Sequence, residues 1–272
     1  MQIIRTREAL SAARPGLGRT GLVPTMGALH EGHLALVEAA RQACERVVAS
    51  IFVNPTQFSS ARDAGAYPRD EAADLQALER AGCDAVWLPT AETMYPPGDC
   101  TWIEPGGPAL AWEGAERPGH FRGMATVVAK LFGLVRPDMA FFGEKDWQQL
   151  QVVRRMVADL LLPVTIIGVP TVRDPHGLAL SSRNRLLGAE DQARAPAIHA
   201  CLQRVRAELL GGHDIEATLA AGRARLVQAG FTLDYLALVD SATLEPTQDL
   251  RRGRLITTAR LGSVRLLDNI AV

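Results

Sequence analysis

Strand-like apolar runs alternate with helical patterns through the first two thirds of the chain. Strands are predicted at 21–23, 47–53, 85–88, 139–142 and 164–169. Helices are predicted at 32–44, 71–81, 124–135 and 147–161. This alternation is typical of βαβ crossovers, so the sequence predicts an α/β fold whose Rossmann-like parallel sheet carries helices on both faces. Sheets of this kind bind ligands beyond the carboxyl ends of their strands.

The composition changes after the segment Arg173-Asp174-Pro175-His176-Gly177. Two helical patterns follow, near 189–210 and 215–230, and then three strand-like runs at 233–239, 255–260 and 264–269. Gly262-Ser263, between the last two runs, predicts a hairpin turn. We therefore expect two domains. Residues 1–175 would hold the parallel sheet, and residues 176–272 would form a smaller α+β domain with an antiparallel sheet.

A stretch rich in Pro and Gly, with little periodicity, lies at 95–119. It is predicted to be a long connection that contains one short strand at 101–104. A connection of that length inside a compact domain is usually functional or mobile.

Composition argues against several classes of function. Lys and Arg (29) balance Asp and Glu (30) to a net charge of −1, which favours neither nucleic acid nor an anionic membrane as a partner. No apolar run approaches the roughly 18–20 residues of a membrane span, and the first residues lack the apolar core of a signal peptide. The 4 cysteines form no CxxC pair, which favours reduced thiols in a cytoplasmic protein, although the even count leaves disulfides open.

The turn after the first predicted strand is the strongest candidate for a functional site. The string PTMGALHEGH (24–33) joins that strand to a helix, so free backbone N–H groups and the positive end of the helix dipole would face one point, as in phosphate sites. His30 and His33 are three residues apart and would project to the same side as imidazole donors. Capping of the helix, or simple solvation, is the alternative for this pair. Zinc binding is a poorer one, because no third ligand lies nearby.

Three further turns carry polar groups suited to small anionic ligands. Gln57, in FVNPTQF (52–58), offers an amide that suits a substrate with hydroxyl and carboxylate groups. Lys145, in FFGEKDWQQL (141–150), is a point charge able to reach phosphate, and Asp146 is a predicted N-cap of the next helix. The string LSSRN (180–184) combines hydroxyls with a guanidinium. For each turn, a purely structural or solvated role is the alternative.

Six strings occur in one order along the chain: PTMGALHEGH, FVNPTQF, YPRD (67–70), HFRGM (120–124), FFGEKDWQQL and LSSRN. Together they closely resemble the pantothenate synthetase (pantoate–β-alanine ligase) family of the nucleotidylyltransferase superfamily, over about residues 20 to 185. Trp147 stands where a smaller aromatic residue is expected, and Glu31 where Asp is also familiar.

The resemblance implies a two-step condensation of (R)-pantoate with β-alanine in coenzyme A biosynthesis. ATP would activate pantoate as pantoyl-adenylate with release of pyrophosphate. The amine of β-alanine would then displace AMP to give pantothenate. The family resemblance also implies a homodimer and a magnesium ion that accompanies ATP.

The resemblance also implies roles for individual residues. The ATP-binding residues would be Met26, Gly27, Ala28, Leu29, His30, Glu31, Gly32, His33, Gly143, Glu144, Lys145, Asp146, Val172, Leu180, Ser181, Ser182 and Arg183. Of these, His33, His30 and Lys145 would be catalytic, as groups that stabilise charge at the reacting phosphate. Gln57 would bind pantoate and β-alanine, Gln149 would bind pantoate, and Arg122 would lie near pantoate. Asp74 would neighbour the magnesium ion, because Mg²⁺ bound to phosphates usually takes few carboxylates. The string LSSRN would close over the triphosphate, which makes the C-terminal domain a lid.

Three other functions compete with this one. Another nucleotidylyltransferase could act on a phosphorylated acceptor, but Gln57 and Gln149 are amides where such an acceptor calls for cations. An aminoacyl-tRNA synthetase is disfavoured because the second domain has no basic excess. A module that senses ATP without chemistry is disfavoured by the presence of both histidines, Lys145 and Arg183.

Overall fold

The computed structural model describes residues 1–16, 18–58, 65 and 67–272, which form two compact units. The first unit comprises Met1–Glu144 and Gln148–Pro170, and the second comprises Lys145–Trp147 and Thr171–Val272. The C-terminal segment thus begins at Thr171, close to the change in composition seen in the sequence. The assignment of Lys145–Trp147 to the second unit has no counterpart in the sequence patterns.

The first unit is built on a parallel sheet of six strands. They are β1 (Gln2–Ile4), β2 (Thr20–Thr25), β3 (Arg46–Ile51), β4 (Ala85–Trp87), β5 (Met139–Gly143) and β6 (Thr165–Val169). Their order is β1-β4-β3-β2-β5-β6, and every neighbouring pair is parallel. The predicted α/β fold class is confirmed. Strand β1 was not predicted from the sequence.

Helices connect these strands. The described ones are α1 (Arg7–Ala13), α2 (Glu31–Ala43), α3 (Glu71–Arg80), α4 (Ala91–Met94), α5 (Glu113–Glu116), α6 (His120–Val135) and α7 (Trp147–Asp159). Helix α2 buries Leu36, Val37 and Ala40, which pack with Val23 of β2 and Phe141 of β5 in the core of this unit. Apolar residues three and four apart on the helix thus cover the centre of the sheet.

The predicted strand at 101–104 is wrong. These residues belong to no strand, and the backbone N–H of Ile103 donates to Oγ1 of Thr126 on α6 at 3.0 Å. A side-chain hydroxyl thereby satisfies a donor that a neighbouring strand would otherwise satisfy.

The second unit combines helices with a three-stranded sheet. Its α-helices are α8 (Ala189–Arg194), α9 (Ala197–Leu210) and α10 (Ile215–Gln228), and its strands are β7 (Thr232–Asp240), β8 (Gly253–Leu261) and β9 (Val264–Ala271). The strands are antiparallel in the order β7-β8-β9, as predicted. The turn Gly262-Ser263 joins the paired residues Leu261 and Val264, and Gly262 has φ +55°, a left-handed conformation that glycine adopts easily.

The predicted helix at 189–210 is in fact two helices. The break falls at Ala195-Pro196, where proline has no N–H for the helical hydrogen bond and its ring crowds the preceding turn. Within the described part of the chain, no helix is long and apolar enough to cross a membrane.

Candidate active site

The strand order changes direction between β2 and β5. Strands β3 and β4 extend the sheet on one side of β2, whereas β5 and β6 extend it on the other. Connections on either side of such a point diverge and leave a crevice at the carboxyl ends of the strands, where ligands of open α/β sheets bind. Strand β2 leads here into Met26–His33, and β5 ends at Gly143.

The carboxylate of Asp74 holds the turn after β2. It is 4% exposed and accepts hydrogen bonds from the backbone N–H groups of Ala28 (2.9 Å) and Leu29 (2.8 Å). Gly27 and Ala28 have φ values of +83° and +51°, and a Cβ at position 27 would lie 2.8 Å from Oδ2 of Asp74. Glycine is therefore needed at this turn for both its conformation and its small size. The expectation that these turn amides face a ligand is corrected, since Asp74 accepts from two of them.

His30 and His33 cap the N-terminus of α2. Nδ1 of His30 accepts from the N–H of Gly32 (3.1 Å), and Nδ1 of His33 accepts from the N–H of His30 (3.4 Å). The ring centroids are 4.1 Å apart and the rings are tilted by 43°. A nitrogen that accepts carries no proton, so each neutral ring has its proton on Nε2. Capping, the alternative considered for this pair, does occur, and it involves the Nδ1 atom of each ring.

Neighbouring backbone groups determine which way the amide of Asn54 faces. This side chain is 1% exposed, its Oδ1 accepts from the N–H of Thr56 (3.3 Å), and its Nδ2 donates to the carbonyl of Gly123 (3.1 Å). An N–H can only donate and a carbonyl can only accept, so the oxygen and nitrogen of Asn54 cannot be exchanged.

The orientation of Asn54 in turn determines the polarity of Gln57. Nδ2 of Asn54 donates to Oε1 of Gln57 at 3.0 Å, so the other end of this half-buried amide is the NH2 group, which lies 3.2 Å from Sδ of Met26. The string FVNPTQF thereby meets the string PTMGALHEGH. A thioether is a weak acceptor, so Gln57 retains donor capacity for an oxygen of a ligand.

Several residues that support Gln57 were missed in the sequence. The hydroxyl of Tyr95 donates to Oδ1 of Asn54 at 2.8 Å, and the ammonium of Lys130 lies 4.2 Å from the Tyr95 ring centroid. Gly123 lets α6 approach the turn closely, because a Cβ there would lie 2.3 Å from the carbonyl oxygen of Thr56. In the sequence, the Asn-Pro dipeptide and the glycine of HFRGM are the signals that could have identified this region.

The other two predicted pantoate residues are less closely tied to this cluster. Arg122 is exposed, forms an ion pair with Glu104 (3.5 Å) and stacks over Trp102 (4.7 Å to the ring centroid). Gln149 is half-buried on α7, whereas its neighbour Gln148 is buried with its amide bonded to the loop carbonyls of Pro108 and Ala111.

Within the second unit, the structure brings together several predicted ATP residues. The N–H of Leu180 donates to the carbonyl of Val172 at 2.9 Å. Ser181 accepts from the N–H of Arg183 (3.3 Å) at the start of a short 3-10 helix, Ser182–Leu186, and Ser182 is buried. Separately, Nζ of Lys145 lies 3.8 Å from Oδ1 of Asp146, and both residues belong to a 3-10 turn, Glu144–Asp146, that runs directly into α7.

A resident metal cage is not found among the described residues. No group of three His, Cys, Asp or Glu side chains there could hold a metal ion. Asp74, the predicted magnesium neighbour, already accepts a backbone N–H at each carboxylate oxygen. These residues therefore fit an ion that arrives with phosphates and waters better than one held by the protein alone.

Comparisons with known proteins agree with the resemblance. The family model described as pantoate-beta-alanine ligase matches residues 2–271. A pantothenate synthetase of Acidiphilium cryptum is 57% identical over 100% of both chains, and one of Granulibacter bethesdensis is 55% identical over 99% of this chain and 96% of its own.

Solved structures are similar over the whole chain. A pantothenate synthetase from Thermus thermophilus has a TM-score of 0.94 at 48% identity and covers 100% of this chain and 99% of its own. A pantoate-beta-alanine ligase from Francisella tularensis, complexed with beta-gamma ATP and β-alanine, has a TM-score of 0.86 at 34% identity, with 100% and 97% covered.

The hydrogen bonds of Asp74 to the turn can be tested directly by mutation. In Asp74→Asn, an amide NH2 would face the N–H of Ala28 or Leu29, so a buried donor would lose its acceptor. We expect the free energy of unfolding to fall by about 1–3 kcal/mol. Chemical denaturation followed by circular dichroism would measure it.

Asp70→Asn is the matched control on the same helix. Asp70 caps α3 by accepting from the N–H of Ala73 at 3.0 Å, and Asn caps about as well as Asp. Equal stability losses in the two variants would contradict the special role of Asp74.

Proposed function

The chain belongs to the pantoate–β-alanine ligase family, and we propose that it joins pantoate to β-alanine with ATP as the energy source. The pantoate carboxylate attacks the α-phosphorus of ATP, and pyrophosphate leaves. The amine of β-alanine then attacks the acyl carbon of pantoyl-adenylate, and AMP leaves as pantothenate forms. Activation is required because a free carboxylate is a very poor electrophile at neutral pH.

The observation that carries this proposal is the contact of Gln57 with Met26, four residues before His30 in the segment that leads to the His30–His33 pair. It joins an amide donor suited to an oxygen-rich acid with two imidazole donors at a helix N-terminus. The Nε2–H groups would stabilise the negative charge that builds up on the phosphate as pantoate attacks. No proton needs to be removed from the pantoate carboxylate, so the histidines act here as donors.

The orientation of the Gln57 amide limits the ligand groups that it can bind. Its NH2 group suits oxygen acceptors, so it would bind the carboxylate or hydroxyl oxygens of pantoate. It would meet β-alanine at its carboxylate, since an ammonium group needs an acceptor. Gln149 and Arg122 would complete the recognition of pantoate.

The remaining residues of the proposal concern ATP. In the first unit these are the segment Met26–His33 and the residues Gly143 and Glu144; in the second unit they are Lys145, Asp146, Val172 and the segment Leu180–Arg183. Magnesium, when bound to the triphosphate, would neutralise part of its charge. We also propose a homodimer, on the basis of the family resemblance alone, and a cytoplasmic location, which the cysteine pattern favours.

A nucleotidylyltransferase that acts on a phosphorylated acceptor is not supported. Relatives that match this chain over its full length are pantothenate synthetases. Detection of pantothenate and AMP, made only when ATP, pantoate and β-alanine are all present, is the decisive assay. Pyrophosphate release with pantoate alone reports the first step.

The variant His30→Asn separates capping from catalysis. Asn is among the best N-caps, so the helix start is retained while the Nε2–H donor is lost. We expect the rate of pyrophosphate release to fall by about 10²–10³ with little change in thermal stability. The His33→Ala variant should show a similar loss in the rate of pyrophosphate release. Near-normal pyrophosphate release in these variants would contradict the role assigned to the histidines.

The variant Gln57→Glu keeps an oxygen for Nδ2 of Asn54 but removes the NH2 donor. A carboxylate would then face the pantoate oxygens, so we expect pantoate binding to weaken by on the order of 1–3 kcal/mol while the KM for ATP changes little. Steady-state kinetics would measure both. Gln76→Glu, exposed on α3, is the control. A loss confined to the KM for ATP would show that the pocket is assigned wrongly.

The role of the second unit as a lid remains a prediction. If residues 180–183 close over the triphosphate, ATP with magnesium should slow hydrogen exchange at residues 176–188, because closure orders this segment. In the complete reaction, the same closure would shield the adenylate from water. Arg183→Ala should slow adenylation and spare β-alanine attack on preformed pantoyl-adenylate. Equal exchange in both states, or a defect only in the second step, would argue against a lid.

A further inference from the structure

Two adjacent polar residues on β9, Asp268 and Asn269, are almost completely buried. They are 2% and 5% exposed. Neighbouring residues on a strand point to opposite faces of the sheet, so the two side chains contact different neighbours. Each contacts a segment that carries proposed ATP residues.

Asp268 holds the segment that leads into Leu180–Arg183. Its carboxylate receives two hydrogen bonds from the guanidinium of Arg173, at 2.6 and 2.8 Å, and Nδ1 of His199 lies 3.4 Å away. Burial by itself would raise the pKa of Asp268, but the neighbouring His199 and the paired Arg173 hold that pKa below its ordinary value. The carboxylate is therefore charged and paired.

Arg173 stands at the base of a small hairpin. It forms a β-bridge with Ala179 and donates to the carbonyl of Gly177 at 3.1 Å. Leu180 follows at once and bonds back to Val172. The Asp268–Arg173 pair thus fixes the start of the LSSRN string.

Asn269 holds the segment Lys145–Trp147 on the other face. Its Nδ2 donates to the backbone carbonyl of Lys145 at 2.8 Å, and its Oδ1 accepts from Arg254. The guanidinium of Arg254 lies 3.3 Å from the ring centroid of Trp147, whose indole N–H donates to the carbonyl of Ser241 at 2.8 Å. This clamp explains why these three residues belong to the second unit.

We propose that Asp268 and Asn269 are positioning residues for ATP, which set the backbone of Lys145 and of Leu180–Arg183 from opposite faces of one strand. The inference rests on the proposed ATP-binding function of those two segments. The physical reason is that a lysine has a flexible four-carbon stem, so a fixed backbone limits where its ammonium can reach. Small displacements of groups that contact a transferring phosphate reduce rates strongly.

The variant Asn269→Asp tests the contact with Lys145. It has nearly the same size and keeps an acceptor for Arg254, but a carboxylate oxygen would face the carbonyl of Lys145. We expect kcat/KM for ATP in the pyrophosphate-release assay to fall roughly 5- to 30-fold, with KM for pantoate little changed. Asn269→Ala serves the same purpose should the first variant fold poorly.

A double-mutant cycle distinguishes positioning from general support. If Asn269 acts through Lys145, the Asn269 variant should lose little further activity in a Lys145→Ala background. If the activity loss of the double variant equals the product of the two single losses, the proposal is overturned. A Lys145→Ala variant that keeps normal activity would instead overturn the proposed role of Lys145, so the two failures can be told apart.

The variant Asp268→Asn tests the other face in the same way. It removes the charge that pairs with Arg173, so it should raise the KM for ATP and lose little more in an Arg183→Ala background. Fully multiplying losses in this second cycle would overturn the role of Asp268.

The control is Asp234→Asn, which breaks a carboxylate–arginine pair in the same sheet (Arg265, 2.7 Å). We expect it to leave the KM for ATP unchanged. Equal KM changes in Asp268→Asn and Asp234→Asn would show that Asp268 serves only stability.

Discussion

The site in the first unit depends on one buried carboxylate. Asp74 accepts hydrogen bonds from the N–H groups of Ala28 and Leu29, and so holds the turn between β2 and α2 in which Gly27 and Ala28 are left-handed. A buried N–H group without an acceptor destabilises the folded state by about 1–3 kcal/mol, so few other side chains could replace Asp74. The turn sets where α2 begins, and through α2 it sets the positions of His30 and His33. The positions of the two histidines thus depend on Asp74, a residue that need not contact the substrates.

Capping and the proposed catalytic role involve opposite ends of the same imidazoles. The Nδ1 atoms accept from the first amides of α2, which satisfies donors that every helix start leaves open. This assigns the protons to the Nε2 atoms at the positive end of the helix dipole, where they suit an anion. The two interpretations that competed for HEGH are therefore compatible, because an imidazole has two distinct nitrogens.

Fixed backbone groups determine the orientation of amide side chains in both units. The N–H of Thr56 and the carbonyl of Gly123 orient Asn54, and Asn54 orients Gln57. In the second unit, Asn269 similarly ties the backbone of Lys145 to β9. In both cases a buried amide with each end committed keeps one orientation. Buried polar networks of this kind specify geometry when all members are satisfied.

The sequence by itself determined the α/β class, the antiparallel C-terminal sheet and the strings that carry the family resemblance, because periodicity and turn chemistry are local. It misjudged the strand at 101–104 and the edge strand β1, where local signals are weak. The break at Pro196 was missed although proline is a strong local signal. Only the tertiary structure decided what Asp74, Asn54 and Asn269 contact. Their partners lie far away in the chain, 45 residues for Asp74 and Leu29 and 124 for Asn269 and Lys145. No local pattern specifies which distant groups will meet, since that depends on how the strands and helices pack.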